Sequence, residues 1–198
     1  MINLEDKKIV VIGGGNIAYS KVKTLLRYNP RIKVVSRELD RRFEEVLFHI
    51  EWVDRDWREE DFERAYLTIA ATDNADVNES VGRLCSENHQ LFNRVDRGLE
   101  SDFMMMGVVE RGDLSIGVST NGRCPSLAKH IKEDLEEHFD ANYGEYLDEM
   151  ATWRKLMIDC NLSASERRLK FQELIPLDFD TLKERRYEYE SNRGIKRK

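Results

Sequence analysis

The chain has 198 residues, 35% of them charged, and a formal net charge of −6. This length accommodates one typical domain plus a smaller one, and the negative balance argues against a general nucleic-acid role. No apolar run approaches the about 20 residues of a membrane-spanning helix, and the first residues lead into an apolar strand without a signal-peptide pattern. The three cysteines are far apart and the four histidines lack metal-ligand spacing. The sequence therefore predicts a cytoplasmic protein with reduced thiols and no metal site.

A glycine-rich turn near the N-terminus is the most informative segment. The apolar run Ile9–Ile12 is typical of a buried parallel strand, and it leads through Gly13-Gly14-Gly15 into a helix predicted over Asn16–Tyr28. Strand, glycines and helix in this order form the fingerprint Gly13-x-Gly15-x-x-Ala18 of a dinucleotide site. Gly13 permits the turn, Gly15 lets the backbone approach a pyrophosphate, and Ala18 lets the helix pack closely on the strand. We expect NAD or NADP to bind here.

Further strands and helices alternate as far as residue 95. The sequence predicts strands at Ile32–Val35, Glu51–Val53, Ala65–Ala71 and Leu91–Val95, helices at Glu38–Ile50 and Asn74–Glu87, and a short helix around Trp57 and Phe62. Alternation of this kind indicates a parallel sheet covered by helices on both faces. Ligands bind such sheets at the carboxyl ends of the strands. Gly13, Ser36, Thr72 and Asp96 follow four of these ends and should line one crevice.

The end of the second strand leaves the type of cofactor open. An acidic residue about 20 positions after the glycines usually binds the adenosine ribose. Here the strand leads into Ser36-Arg37-Glu38. Glu38 suits the ribose hydroxyls of NAD, whereas Ser36 and Arg37 suit the 2′-phosphate of NADP.

The pattern changes after Ser101. Two apolar segments, Asp102–Val109 and Leu114–Val118, predict a hairpin, followed by the loop Ser119–Pro125 and a helix over Ser126–Phe139. The rest is helical in pattern, with a capping box at Ser163–Glu166 and a charged end, Lys183–Lys198, that we expect to fray. The predicted fold is α/β. A Rossmann-like parallel-sheet domain (residues 1–107) precedes a small α+β dimerisation region (108–141) and a C-terminal helical domain (142–198).

Two polar segments are candidates for chemistry. Asp96 follows the last strand of the sheet between Arg94 and Arg97, where a carboxylate suits a general base or a group that orients substrate; it is equally typical of a plain loop aspartate. The loop Ser119–Arg123 precedes a helix N-terminus and suits an anion, although an ordinary loop and cap explains it better.

Five sequence blocks in this order resemble the sirohaem synthase family, and more narrowly its precorrin-2 dehydrogenase module, which in some members is also a sirohydrochlorin ferrochelatase. The blocks are Gly13–Ala18, Ala70–Asp73 with Val77-Asn78, Asn93-x-Val-Asp96, Ser101-x-Phe103, and Ser119-Thr-Asn-Gly-x-x-Pro-Ser-Leu-Ala128. Together they are far more specific than the glycine motif alone.

The resemblance implies NAD-dependent oxidation of precorrin-2, a tetrapyrrole rich in carboxylates, to sirohydrochlorin. Ferrous iron insertion, giving sirohaem, is the second activity of bifunctional members. By position, Asn16 and Ile17 would contact the pyrophosphate, Arg37 and Glu38 the adenosine, and Thr72 and Asp73 the nicotinamide side. Asp96 matches the catalytic aspartate. A homodimer through the hairpin and the helix after it is also implied. Candidate ligands of substrate carboxylates are Arg94, Arg97, Ser119, Thr120, Asn121, Arg123 and Lys129.

The chain departs from the family pattern in four places. Arg97-Gly98 replaces a small or acidic residue followed by proline, and Phe103-Met-Met-Met106 replaces Phe-x-x-Pro. In the later loop, Asn121-Gly122 replaces Gly-Gly, and Cys124 stands where serine is common. Two other functions remain open on the sequence. One is a non-catalytic, nucleotide-binding regulatory protein, and the other is an NADP-dependent oxidoreductase acting on another substrate.

Overall fold

The computed structural model describes residues 2–193, without the side chain of Leu99. The chain divides into two compact units, Met1–Met105 and Met106–Lys198. The further boundary expected at residues 141 and 142 stays a prediction.

The first unit is built on a five-stranded parallel sheet. Its strands are β1 (Lys8–Ile12), β2 (Arg31–Val35), β3 (Ile50–Val53), β4 (Leu67–Ala70) and β5 (Leu91–Arg94), in the spatial order β3-β2-β1-β4-β5. Ile12 lies in register with Val35 and with Ala70, and Ala70 with Arg94. The carboxyl ends of β2, β1, β4 and β5 are therefore level, and the strand order reverses beside β1, where such sheets bind ligands. The predicted α/β class is confirmed.

The alternating side chains of β1 divide between two cores. Ile9 and Val11 pack on one face with α1 (Asn16–Leu25), and Val10 and Ile12 pack on the other face with residues of α2 (Ala75–Glu87). All four side chains are buried. Because helices cover both faces, the strand is apolar throughout rather than at every second residue.

The helix expected over Glu38–Ile50 is wrong. The chain forms two 3-10 turns, Arg41–Glu45 and Leu47–His49, and enters β3 at Ile50. Val46 separates the turns with φ −122° and ψ 0°, which no α-helix tolerates. Phe43 is buried, but Phe48 is 98% exposed. Phe43 and Val46 are buried, and Leu39 and Ile50 pack against the same core, so the apolar side was predicted correctly although 3-10 turns and not an α-helix carry it.

The second unit combines a hairpin with four helices. Its elements are β6 (Gly107–Arg111), β7 (Leu114–Val118), α3 (Pro125–His138), α4 (Tyr143–Asp159), α5 (Ala164–Leu174) and α6 (Phe179–Asn192). The strands pair antiparallel, which confirms the hairpin, and Ser163 and Glu166 form the expected capping box. The first strand begins later than predicted, because Asp102 instead binds the edge strand β5. Its carboxylate accepts from the Phe92 amide at 2.9 Å.

The expected fraying from Lys183 is wrong for residues 183–192, which belong to α6. Leu182 is fully buried in a core with Trp153 and Met157. Arg186 pairs with Glu149 of α4 and with Glu190 one turn further along α6. These contacts anchor a segment whose composition alone is too polar to predict packing. Residues 194–198 of the charged end lie outside the described part of the chain.

Candidate functional site

The turn after β1 can be built only with glycine at its first two positions. Gly13 has φ +111°, and a Cβ atom on it would lie 2.3 Å from the carbonyl oxygen of Ala71. A Cβ on Gly14 would lie 2.0 Å from the carbonyl oxygen of Glu38. The Asp40 amide also donates to the Gly14 carbonyl at 2.8 Å. The first two glycines therefore bring the ends of β1, β2 and β4 together.

The third glycine faces open space. No described atom lies within 4 Å of a Cβ placed on Gly15, and Gly15, Asn16 and Ile17 are exposed. Gly15 is the N-cap of α1, and no described side chain caps this helix end. Free amides and the positive end of the helix dipole therefore meet at a point that a pyrophosphate can approach.

A cavity of about 660 Å³ extends from this turn across the carboxyl ends of β1, β2 and β4. Its lining includes the expected residues Gly13, Ser36, Arg37, Glu38 and Thr72. Arg55, Asp56 and Trp57 also line it, and the sequence interpretation missed them. They follow β3, so the strand-end rule that selected Ser36 would have found them as well. A larger cavity of about 920 Å³ lies at the opposite, amino ends of the strands, and no predicted site residue lines it.

The polar groups at the end of β2 already have partners. The Ser36 hydroxyl donates to the Glu38 carbonyl at 2.7 Å. Nε of Arg37 donates to Asp56 at 2.8 Å, and a second guanidinium nitrogen binds the other oxygen of the same carboxylate. This pair raises the pKa of Arg37 and lowers the pKa of Asp56. A 2′-phosphate would have to compete with Asp56 for the guanidinium.

Thr72 is held by the first helix turn after it. Its hydroxyl donates to Oδ1 of Asn78 at 2.8 Å, and Nδ2 of Asn78 donates back to the Thr72 carbonyl at 3.0 Å. Asn78 is fully buried, whereas Asp73 is exposed beside it. The Thr72–Asp73 segment therefore has a fixed backbone and a free carboxylate.

Asp96 lies at the end of β5 in a cluster of charges. Its two carboxylate oxygens accept from Nε and Nη2 of Arg94 at 3.0 and 2.9 Å. Nη1 of the same arginine donates to Glu79 and to Glu100, each at 2.9 Å. Hydrogen bonding by Arg94, and in smaller part by Asn78, lowers the pKa of Asp96 below its ordinary value. Asp96 therefore remains ionised across the physiological range.

Arg94 lies beside Asp96 as expected, but its side chain is buried among these carboxylates, with 4% exposed. Arg97 is exposed, and its guanidinium approaches Glu100 at 3.5 Å. Asn78, Glu79 and Glu100 were not identified as site residues from the sequence. Asn78 stands in one of the quoted sequence blocks, but nothing in the sequence shows that Glu79 and Glu100 converge.

The other predicted substrate residues belong to the second unit. Ser119, Thr120, Asn121 and Arg123 form the loop between β7 and α3. In this loop the Asn121 amide donates to the Ser119 hydroxyl at 3.1 Å, and the Cys124 amide donates to the Thr120 hydroxyl at 3.2 Å. Arg123 and Lys129 are exposed, with Lys129 3.6 Å from Glu133. The loop and the first turn of α3 thus offer two accessible cations.

Among residues 2–193, no group of three or more His, Cys, Asp or Glu side chains is placed to hold a metal ion. In the same part of the chain, no helix has the length and apolar character needed to cross a membrane.

Comparison with known proteins identifies the family. Residues 1–106 match the model of an NAD(P)-binding family, and residues 111–138 match that of the central part of sirohaem biosynthesis proteins. The precorrin-2 dehydrogenase of Bacillus subtilis is 33% identical over 144 residues, which are 72% of this chain and 88% of that protein. The siroheme synthase of Actinobacillus succinogenes is 29% identical over 182 residues, 91% of this chain. The match spans only 38% of that longer relative.

A solved structure agrees with these sequence matches. SirC, a precorrin-2 dehydrogenase, superposes with a TM-score of 0.77 at 26% identity, covering 96% of this chain and 98% of SirC. The similarity therefore extends over both units and is not confined to the nucleotide-binding part. With the glycine turn, the crevice and the strand-end aspartate in place, the chain belongs to the precorrin-2 dehydrogenase family of sirohaem biosynthesis.

Proposed function

We propose that this protein is an NAD-dependent dehydrogenase that oxidises precorrin-2 to sirohydrochlorin. The observation that carries the proposal is an ionised aspartate, Asp96, just past the end of β5, which is level with the end of β1 where the glycine turn begins. The match to precorrin-2 dehydrogenases over almost the whole chain supports the choice of substrate.

The crevice fits a dinucleotide. Gly15 leaves room for the pyrophosphate, and the exposed amides of Asn16 and Ile17 are its proposed donors. The cavity beside Arg37, Glu38 and Trp57 takes the adenosine end. When bound, NAD supplies the hydride acceptor of the reaction.

The adenosine end favours NAD over NADP. Asp56 occupies the fork of Arg37, and the Ser36 hydroxyl is engaged by a backbone carbonyl. A 2′-phosphate would meet the negative charge of Asp56 before it reached the arginine. A ribose hydroxyl carries no charge, so it meets no such repulsion.

Asp96 has a defined task in this oxidation. The macrocycle loses one hydrogen from carbon as a hydride and a second hydrogen as a proton. Once the hydride has left, the macrocycle is positively charged and acidic, and the carboxylate of Asp96 stabilises this charge and accepts the proton. Since the pKa of Asp96 is lowered, the proton then passes readily to water. The balanced reaction converts precorrin-2 and NAD⁺ to sirohydrochlorin, NADH and H⁺.

Exposed cations are the proposed partners of the substrate carboxylates. Arg97, next to Asp96, keeps its charged group in contact with solvent. Arg123 and Lys129 are also exposed, and their part in substrate binding stays a prediction of the family resemblance. Ser119, Thr120 and Asn121 are proposed hydrogen-bonding neighbours, and Thr72 and Asp73 border the nicotinamide. Arginine is suited to this task because it binds carboxylates bidentately.

The test is an anaerobic assay of NADH formation from precorrin-2, run separately with NAD and NADP. We expect turnover with NAD. Binding of NAD without formation of NADH would indicate the regulatory alternative, and turnover with NADP alone would indicate the other oxidoreductase. Ferrous iron as a second substrate stays a prediction of the family resemblance, tested by supplying Fe²⁺ with sirohydrochlorin and measuring sirohaem. A cytoplasmic location also stays a prediction.

We also propose that the protein is a homodimer formed through α3 and the hairpin. None of the 14 residues of α3 is buried, although Leu127, Ile131 and Leu135 follow one another at helical spacing along it. An apolar row of this kind is stable in water only when another surface covers it. Light scattering should give a dimer for the wild type and a monomer for Leu127→Asp/Ile131→Asp. Glu137→Lys, on another face of the same helix, should remain a dimer. A monomeric wild type would contradict the proposal.

A further inference from the structure

Arg94 is unusual because an arginine side chain is almost completely buried at a strand end. Only 4% of the side chain is exposed. Its N–H groups make four hydrogen bonds to carboxylates, two of them to Asp96. An arginine that binds a substrate carboxylate keeps its N–H groups exposed to water. Four N–H groups of Arg94 are instead hydrogen-bonded inside the protein.

The cluster is assembled from three elements. Arg94 is the last residue of β5, Glu79 belongs to α2, and Glu100 belongs to the 3-10 turn Gly98–Glu100. The backbone amide of Arg94 is fixed as well, because it donates to the Ser101 hydroxyl at 2.9 Å. Each component therefore limits the movement of the guanidinium.

We infer that Arg94 is a positioning residue, which holds the carboxylate of Asp96 in one orientation and in its charged form, and not a ligand of the substrate. Two parallel N–H···O bonds fix the plane of the carboxylate as well as its distance. The inference deepens the proposed function and rests on it where it concerns catalysis. The coupling between the two side chains can be tested without substrate.

The charge balance of the cluster fits the same reaction. One guanidinium faces three carboxylates, which leaves an excess of negative charge on the exposed side, where Glu79 and Glu100 are each about half exposed. Departure of a hydride leaves a cation on the substrate, so an excess of negative charge beside it lowers the barrier. Asn78 of α2 also bonds to Asp96, and Arg97, next to it in the sequence, pairs with Glu100.

The first test measures the titration of Asp96 directly. In ¹³C-labelled protein, the carboxyl signal of Asp96, assigned by its loss in Asp96→Asn, is followed by NMR as the pH is lowered. We expect the midpoint in Arg94→Met to lie about one pH unit or more above that of the wild type, because the favourable cation is gone. Arg83→Met, which removes an exposed arginine of α2, should leave the midpoint unchanged. The same midpoint in Arg94→Met and wild type would overturn the inference.

The second test separates positioning from substrate binding. For Arg94→Met we expect kcat with precorrin-2 to fall at least about tenfold. We also expect the acid limb of its pH–kcat profile to move to higher pH. Arg94→Lys should recover part of kcat, since it restores the charge without the fork. A rise in KM alone, with kcat and the pH profile unchanged, would make Arg94 a substrate ligand and overturn the inference.

A third variant tests the inference if Arg94→Met does not fold. Removing Arg94 leaves three carboxylates facing one another, so Arg94→Met is also combined with Glu79→Gln and Glu100→Gln. This variant keeps Asp96 without its cation and relieves the repulsion. Its Asp96 midpoint should remain above that of the wild type, and a midpoint equal to the wild type would again overturn the inference. If the wild type makes no NADH from precorrin-2, the proposed function fails, while the NMR titration still decides the role of Arg94.

Discussion

Two ion pairs, one on each side of β1 in the sheet, are built on buried charges of opposite sign. At the adenosine end the buried ion is a carboxylate, Asp61, whose side chain is 0% exposed and binds Arg55 through both oxygens at 2.8 and 2.9 Å. On the other side of β1 the buried ion is an arginine, Arg94, which binds Asp96. In each pair the partner is more accessible, with 26% of the Arg55 and 29% of the Asp96 side chain exposed.

The comparison separates two roles within an ion pair. The buried member is fixed by several partners, and its loss leaves other charges uncompensated. The accessible member is held in place and presented to the crevice. We propose that Arg55 thereby presents a positive group to the adenosine side of the cavity, and Asp96 a negative group to the bond that is oxidised.

The largest effect should come from the accessible member at the reacting end. Asp96→Asn removes the charge and the proton acceptor but keeps the size of the side chain, so NADH formation should fall about 100-fold or more. Affinity for NAD, measured by calorimetry, should stay close to that of the wild type. Turnover at the wild-type rate would remove Asp96 from the mechanism.

The buried member at the adenosine end should affect stability instead. Asp61→Ala leaves Lys33 and Arg55 without their shared carboxylate and should cost about 3 kcal/mol of unfolding free energy in urea. This is the low end of the usual range, because both cations still reach water. Asp61 lies in the 3-10 turn Glu59–Phe62, and Glu59→Gln, an exposed change in this turn, is the control. A loss below about 0.5 kcal/mol for Asp61→Ala would contradict the structural role.

The same carboxylate predicts how stability depends on pH. Burial raises the pKa of Asp61, but hydrogen bonds from Arg55 and Lys33 outweigh it, and the pKa lies well below the ordinary value. A lowered pKa in the folded state stabilises the protein above the unfolded pKa of about 3.9, and this contribution is lost as the pH falls toward the folded value. The unfolding free energy of Asp61→Asn should therefore decline less below about pH 4 than that of the wild type.

Two variants of the glycine turn, Gly13→Ala and Gly15→Ala, separate its effect on stability from its effect on NAD binding. Gly13→Ala forces a Cβ against the Ala71 carbonyl at positive φ and should lower the unfolding free energy by at least about 1–3 kcal/mol. Gly15 has an extended backbone that alanine adopts easily, so Gly15→Ala should change stability by less than about 0.5 kcal/mol. It should nevertheless weaken NAD binding, since the methyl group enters the space of the pyrophosphate. Unchanged NAD affinity in Gly15→Ala would place the pyrophosphate elsewhere.

The smallest effect should come from the exposed pair at the adenosine end. Asp56→Asn frees Arg37, and the affinity for NADP relative to NAD should rise by about a few-fold, since exposed pairs are weak and screened. Dissociation constants for both cofactors at low and high salt measure this, with Glu59→Gln as the control. A ratio that does not move would show that Asp56 has no part in cofactor choice.

Sequence patterns predicted the sheet and the glycine turn because these depend on neighbours along the chain. The apolar run at β1 and the required glycines are local properties. The helix expected after Glu38 failed, since a contact with a residue distant along the chain, the bond from the Asp40 amide to the Gly14 carbonyl, holds the start of this segment to the glycine turn. The sequence predicted Arg94 as a substrate ligand because it does not show that Glu79 and Glu100 bind this arginine in the folded chain. Whether a charged side chain is buried or exposed therefore depends on contacts between residues that are distant along the chain.

The most direct measurement of the central claim is the stoichiometry of the reaction. Purified protein, precorrin-2 and NAD are mixed without oxygen, and sirohydrochlorin and NADH are quantified in the same sample. We expect one NADH for each sirohydrochlorin formed, and about 100-fold slower formation of both by Asp96→Asn. Wild-type protein that binds NAD and leaves precorrin-2 unchanged would contradict it.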